Sequence, residues 1–131
     1  MTIDADLSRL ATSGNFAALS TISADGHPRN HVMWIDADDD HLVFNTEVHR
    51  AKFRDVERDP RVTITVINGE NPYQYVEARG TVVDTITGPE ARTHIDALAQ
   101  RYMGQPRYPG DIESERVIVK VRPDRIHKNG I

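Results

Sequence analysis

The chain has 131 residues, of which 38% are hydrophobic and 27% charged, and its formal net charge is −4. That length supports a single domain with its own core. The acidic balance excludes a protein whose main partner is a nucleic-acid backbone, because phosphate neutralisation needs a surplus of lysine and arginine. No cysteine is present, which removes disulfides and thiolate metal sites. Neither a signal-peptide pattern nor an apolar run of membrane-spanning length occurs, so a cytoplasmic protein with no membrane partner is expected.

In chain order, Leu7, Leu10 and Ala11 fall at helical spacing within residues 3–14, and Gly14 is placed to end that helix. Residues 16–23 (FAALSTIS) and 27–36 (HPRNHVMWID) predict two strands joined by Ala24-Asp25-Gly26, a strong hairpin signal because glycine accepts the positive φ of a tight turn. After a turn at 36–40 (DADDD), residues 41–46 (HLVFNT) return as a third strand, giving a three-stranded antiparallel meander. A short helix is expected at about 49–59, with Phe53 and Val56 as its apolar seam and Pro60 beyond its end. Residues 62–68 (VTITVIN) alternate β-branched side chains and predict a strand. A turn at 69–72 leads to a long strand over 73–85, where Gly80 marks a bulge or bend. Thr87 and Glu90 are spaced as a capping box for a helix whose Ala91, Ile95, Leu98 and Tyr102 share one face, ending near Met103-Gly104. An irregular loop then precedes a last strand at 116–126. Six strands at hairpin spacing with peripheral helices predict a mainly β fold, a six-stranded antiparallel barrel occupying residues 1–131 as one domain.

Chemistry-bearing residues are sparse. His27 and His31 lie four apart on one expected strand, which separates their Cα atoms by roughly 13 Å, too far to share a metal ion. The other four histidines are scattered and no GxSxG nucleophile elbow occurs. No catalytic residue and no metal ligand is therefore assigned. The basic stretch FNTEVHRAKFRDVERDPRV (44–62) is different. Arg50 and Lys52 open the short helix, where unpaired backbone N–H groups and the macrodipole favour an anion, and arginine adds a fork of donors. The competing explanation is a solvated helix, and spacing alone does not decide between them. For Arg54 and Arg58, pairing with Asp55 or Glu57 is the simpler account. Tyr73 and Tyr75 alternate with Glu77 and Arg79 onto one strand face, suited either to walling a flat ring or to a core or interface.

Taken together, GNFAALSTISADGHPRNHVMWID, RAKFRDVERDPRV, YVEARGTV, HIDALAQRYMGQPRYP and RVIVKVRPDRI resemble the split β-barrel flavin/deazaflavin oxidoreductases, the pyridoxamine-phosphate-oxidase-like proteins, and within them the actinobacterial branch that uses coenzyme F420. The resemblance implies a homodimer of six-stranded split barrels with peripheral helices, and a cofactor in the groove between subunits. It implies that Arg50 and Lys52, with Ala51 between them, hold the cofactor phosphate, and that Asn45 and Thr46 line its phosphate or ribityl side. His31, Val32 and Met33 would lie along the deazaflavin ring, and Tyr73 would present an aromatic to it. The implied activity is hydride transfer between reduced F420 and an electron-poor small molecule such as an enone or quinone. FMN in the same fold, and a non-catalytic F420- or haem-binding protein, remain as alternatives.

Overall fold

The structure, a computed structural model, describes residues 2–131. Its elements in order are α1 (Ala5–Ala11), β1 (Phe16–Ile22), β2 (Pro28–Trp34), β3 (Asp36–Ala37), β4 (Leu42–Glu47), α2 (Ala51–Arg58), β5 (Arg61–Ile67), β6 (Tyr75–Thr87), α3 (Pro89–Met103) and β7 (Arg116–Asn129). All strand pairs are antiparallel, and the sheet runs β2-β1-β5-β6-β7-β4-β3. The two-residue β3 makes seven strands where six were expected.

The expected meander is corrected. β2 pairs with β1 alone, whereas β4 pairs with β3 and β7. The chain turns out of the first sheet edge at Ile35, whose backbone bonds to α3 rather than to a strand. Its N–H donates to the Tyr102 hydroxyl at 2.9 Å and its carbonyl accepts from Arg101 at 3.4 Å. Because a buried backbone group must find some partner, those two helix side chains allow the barrel to split between β2 and β3.

The core follows from alternation. β1 and β5 bury every second residue, so Ala17, Leu19, Val62, Ile64 and Val66 point inward with Phe44, Val117, Val119 and Val121. Helix α1 plugs one opening with Leu7, Leu10 and Ala11, capped by Asp4, whose carboxylate accepts from the N–H groups of Asp6 and Leu7. Strand β4 is buried on both faces because α3 covers its outer side, where Val43, Ala91 and Ile118 form a second cluster.

The expected bulge is present: the β6–β7 register shifts at Arg79/Gly80. A Cβ on Gly80 would stand 2.6 Å from Val121 Cγ1 and 2.7 Å from the Arg122 carbonyl oxygen. The expected capping box is absent. Thr87 is still paired to Val117 in the sheet, and Gly88, at φ 86°, starts α3 without a side-chain cap. The long strand begins at Tyr75, which leaves Tyr73 in the preceding turn. Among the described residues no helix is long and apolar enough to cross a membrane.

Candidate functional site

The site is built where β4 ends and α2 begins. Glu47, the last residue of β4, is only 1% exposed. Its carboxylate accepts from the N–H groups of Glu113 and Ser114 at 2.7 and 2.8 Å, from Arg50 at 3.3 Å, and stands 3.5 Å from Arg116. Burial pushes its pKa up, but those two backbone donors and the Arg116 and Arg50 charges outweigh it and hold the carboxyl below its ordinary value. Glu47 therefore stays ionised, ties the 111–115 loop to α2 and draws two guanidinium groups together.

Helix α2 opens with Arg50 as its N-cap residue, with no side-chain cap and no acidic residue in its first turn. The N–H groups of Ala51 and Lys52 have no acceptor among the described residues. Lys52 likewise has no carboxylate partner there, and its pKa is pushed down to about 8, first by burial and then by the Arg50 and Arg116 charges. A helix that begins with two cations and no acidic residue in its first turn loses free energy to its own dipole, and an anion seated at this corner offsets that cost. Further along the helix the simpler account holds for Arg58, which donates to Asp55 at 2.9 Å.

Asp55, 2% exposed, locks α2 onto the first hairpin. It accepts from Thr21 Oγ1 at 2.7 Å and pairs with Arg29 at 3.0 Å. Since the single hydroxyl hydrogen of Thr21 goes to Asp55, the Thr21 oxygen must accept from His31 Nε2, 3.3 Å away. That assigns the proton to Nε2 and leaves Nδ1 as a lone-pair acceptor. Burial, then the Lys52 and Arg29 charges, push the His31 pKa down, so the ring is neutral at pH 7.

A second chain of bonds fixes the floor. The Asn45 amide donates to the Ala91 carbonyl at 2.9 Å and to His94 Nδ1 at 3.0 Å, while its oxygen accepts from Arg116 Nε at 2.8 Å. His94 Nε2 then donates to Asp36 at 3.0 Å, and Asp36 is also held by Arg101 at 3.0 Å. Both amide hydrogens of Asn45 are thus engaged with Ala91 and His94, which turns its oxygen toward Arg116 Nε.

Two adjoining concavities result. An outer trough of about 540 Å³ is lined by His31, Val32, His49, Arg50, Ala51 and Lys52. A recess of about 200 Å³ beside it shares Val32, Arg50 and Lys52, and adds Met33, Asn45 and Arg116 to its wall. Seven of the nine expected contact residues therefore gather here. Thr46 does not: it sits on the core face with Leu42 and Phe44, 2% exposed, and its hydroxyl has no partner among the described residues. Tyr73 lines neither concavity and is 80% exposed in the β5–β6 turn. A larger depression, about 640 Å³, lies over β1, β5 and β6. Two of its charges are matched, Arg61 by Asp59 and Asp124 by Arg122, which leaves Arg79 as its one cation without a carboxylate partner among the described residues, against three cations at the α2 corner.

Sequence reasoning missed Glu47, Arg116 and Tyr108. Register supplies the signal for the first two: Glu47 and Arg116 are directly opposite across β4 and β7, an acid closing one strand against a base opening another. Tyr108 sits in the irregular loop, positioned by its N–H to Asp96 at 2.8 Å, and carries the Arg116 guanidinium 5.2 Å from its ring centroid.

Comparison with known proteins places the fold. Residues 3–130 match the family described as pyridoxamine 5′-phosphate oxidase. Among solved structures, one titled F420 reductase is 31% identical, with a TM-score of 0.82 over 95% of this chain and 98% of its own. A conserved hypothetical protein from Mycobacterium tuberculosis is 23% identical, with a TM-score of 0.75 over 98% of this chain and 85% of its own. HutZ, the heme storage protein from Vibrio cholerae, is 12% identical, with a TM-score of 0.66 over 100% and 97%. The last two likenesses concern the fold alone. No curated protein matches the chain in sequence. With a family match spanning nearly every residue and a split antiparallel barrel to go with it, the chain belongs to the pyridoxamine 5′-phosphate oxidase family.

Proposed function

We propose that the chain is an oxidoreductase that binds coenzyme F420 through its phosphate at the start of α2, and that it works as a homodimer. The observation that carries this reading is the charge imbalance at one corner. Arg50, Lys52 and Arg116 supply three positive charges against the single negative charge of Glu47, beside two unbonded helix N–H groups. An anion placed there offsets the burial and the neighbouring positive charges that depress Lys52, accepts from Ala51 and Lys52 N–H, and meets the Arg50 fork. The F420 reductase at 31% identity supports the deazaflavin over other anionic cofactors.

The chain's own residues then have defined tasks. His31 Nδ1 accepts from a hydroxyl of the cofactor's polyol. Val32, 78% exposed on β2, gives the ring an apolar bed, and a second copy of the chain covers it and excludes water. Tyr73, remote from this corner within one subunit, meets the ring from the partner. Reduced F420 supplies a hydride to an electron-poor acceptor such as an enone or quinone.

FMN is the second reading, favoured by the family match and by a net charge suited to a phosphate monoester dianion. Parallel fluorescence titrations with F420 and FMN, followed by oxidation of reduced F420 with a panel of enones and quinones, test the proposal. Saturable F420 binding with acceptor-dependent turnover supports it. Tighter FMN binding transfers the site to a flavin, and binding without turnover on any acceptor leaves a carrier protein.

A further inference from the structure

The recess behind the trough is too small for the cofactor. Its volume of about 200 Å³ falls below the roughly 300 Å³ floor for pockets that enclose a drug-sized ligand. Part of its wall is flat and aromatic. Trp34 stacks on Tyr102 with centroids 5.0 Å apart at 5° and meets Tyr108 edge-on at 6.1 Å, while Ile95 and Leu98 of α3 close the far side. Tyr108 is held as a wall by Gly110, where a Cβ would stand 2.6 Å from the tyrosine hydroxyl oxygen.

Three cations line this space: Arg50 and Lys52, which it shares with the trough, and Arg116, which it does not. Arg116 is 7% exposed, its Nε is committed to Asn45 and its Nη1 stands 3.5 Å from Glu47. Nη2 has no acceptor among the described residues. A guanidinium edge left open in an aromatic recess matches a planar monoanion, whose two oxygens take parallel donors. The corner's net charge also exceeds what the single negative charge of a phosphodiester neutralises.

We infer that the recess binds a small planar carboxylate, an aromatic or conjugated acid of about one ring, with its carboxylate on Arg116 and its flat body between Trp34, Tyr108 and Leu98. Resting on the reading that the trough holds F420, a conjugated acid bound here is the electron acceptor: the hydride of reduced F420 adds to the β-carbon of its C=C bond, the π pair moves to the α-carbon and takes a proton from water, and oxidised F420 and the saturated acid result. The acceptor class thereby narrows from electron-poor molecules at large to conjugated acids.

The test uses the protein's single tryptophan, Trp34, as reporter. Benzoate and its uncharged isostere benzamide are titrated into the cofactor-free protein and into protein saturated with F420. Saturable change in Trp34 emission, at least ten-fold tighter for benzoate in both forms, supports the inference. Arg116→Met abolishes that preference in the F420-saturated protein, where Arg50 and Lys52 are engaged by the cofactor, and Leu98→Phe, which fills the recess without touching a charge, weakens both probes by the same factor. Equal affinity for the two probes overturns the inference, as does the absence of saturation. Competition between benzoate and F420 also overturns it, since the recess then belongs to the cofactor's own anion site, yet leaves the cofactor reading standing. Selective benzoate binding in a protein that takes no F420 supports the carboxylate site and removes the redox role.

Discussion

Thr21 Oγ1 donates to Asp55 Oδ2 at 2.7 Å although 34 residues separate them. This bond joins β1 to α2 and, through the same oxygen, sets which nitrogen of His31 carries a proton. Asp55 has two further partners, Arg29 and Arg58, both nearly half exposed. Asp55→Ala strands the buried Thr21 hydroxyl while the arginines regain water, so the cost is about 2 kcal/mol, a fall in Tm of roughly 6 °C. Thermal unfolding of the variant measures it, and a loss under roughly 2 °C contradicts the role given to Asp55.

The pH dependence has a definite sign on both sides. Asp55 and Glu47 have folded pKa values below their ordinary 3.8 and 4.5. Their contributions to stability are present above those values and are lost as pH falls through the lower folded ones. Lys52 acts oppositely. Its folded pKa of about 8 lies below its ordinary 10.5, so its charge burdens the fold below pH 8, and the cost fades between about 8 and 10.5.

Lys52→Met isolates that effect. The variant has a Tm roughly 3 °C above the wild type at pH 7 without ligand, and the gap closes by pH 10.5. The same change weakens phosphate-bearing ligands, a trade of function against stability. Differential scanning calorimetry across that range checks it, and a variant less stable than the wild type at pH 7 contradicts it.

Gly80 tests the bulge. Gly80→Val drives side-chain atoms into Val121 and the Arg122 backbone, which a Cβ alone would already approach to 2.6–2.7 Å. Overpacking against backbone costs roughly 3 kcal/mol, and denaturant unfolding reads it as a lower midpoint at unchanged slope.

Val32 tests the second copy. It stands 78% exposed on edge strand β2, outside the core cluster. If the proposed homodimer forms across this face, Val32→Glu leaves the circular dichroism spectrum unchanged, gives a monomer by light scattering where the wild type is a dimer, and lowers cofactor affinity at least ten-fold. A dimer that persists at low micromolar concentration places the interface elsewhere.

Much of this was legible from local chemistry. Alternating β-branched residues marked β5, the Asp25-Gly26 turn marked the first hairpin, and Gly80 marked the bulge because only glycine tolerates that approach. The Arg50–Lys52 pair was legible as a pattern, though not its pairing with Glu47. What escaped was non-local. The split at Ile35 depends on Tyr102 and Arg101, some 67 residues away, which no nearby residue announces. Thr46 and Asn45 are adjacent, yet strand alternation sends one to the core and the other to the site, and the register that decides this is set by β7. Thr87 and Glu90 had capping spacing, but the sheet ladder claimed Thr87 first.

The account stands or falls on the α2 corner. The direct measurement is the affinity of F420 for the wild type and for the Arg50→Ala/Lys52→Ala double variant, followed by deazaflavin fluorescence, with the fold checked by circular dichroism. Losing two charge-assisted contacts costs at least about 3 kcal/mol, so the account predicts a loss of a hundredfold or more in a folded protein. A folded double variant that binds F420 as tightly as the wild type contradicts it.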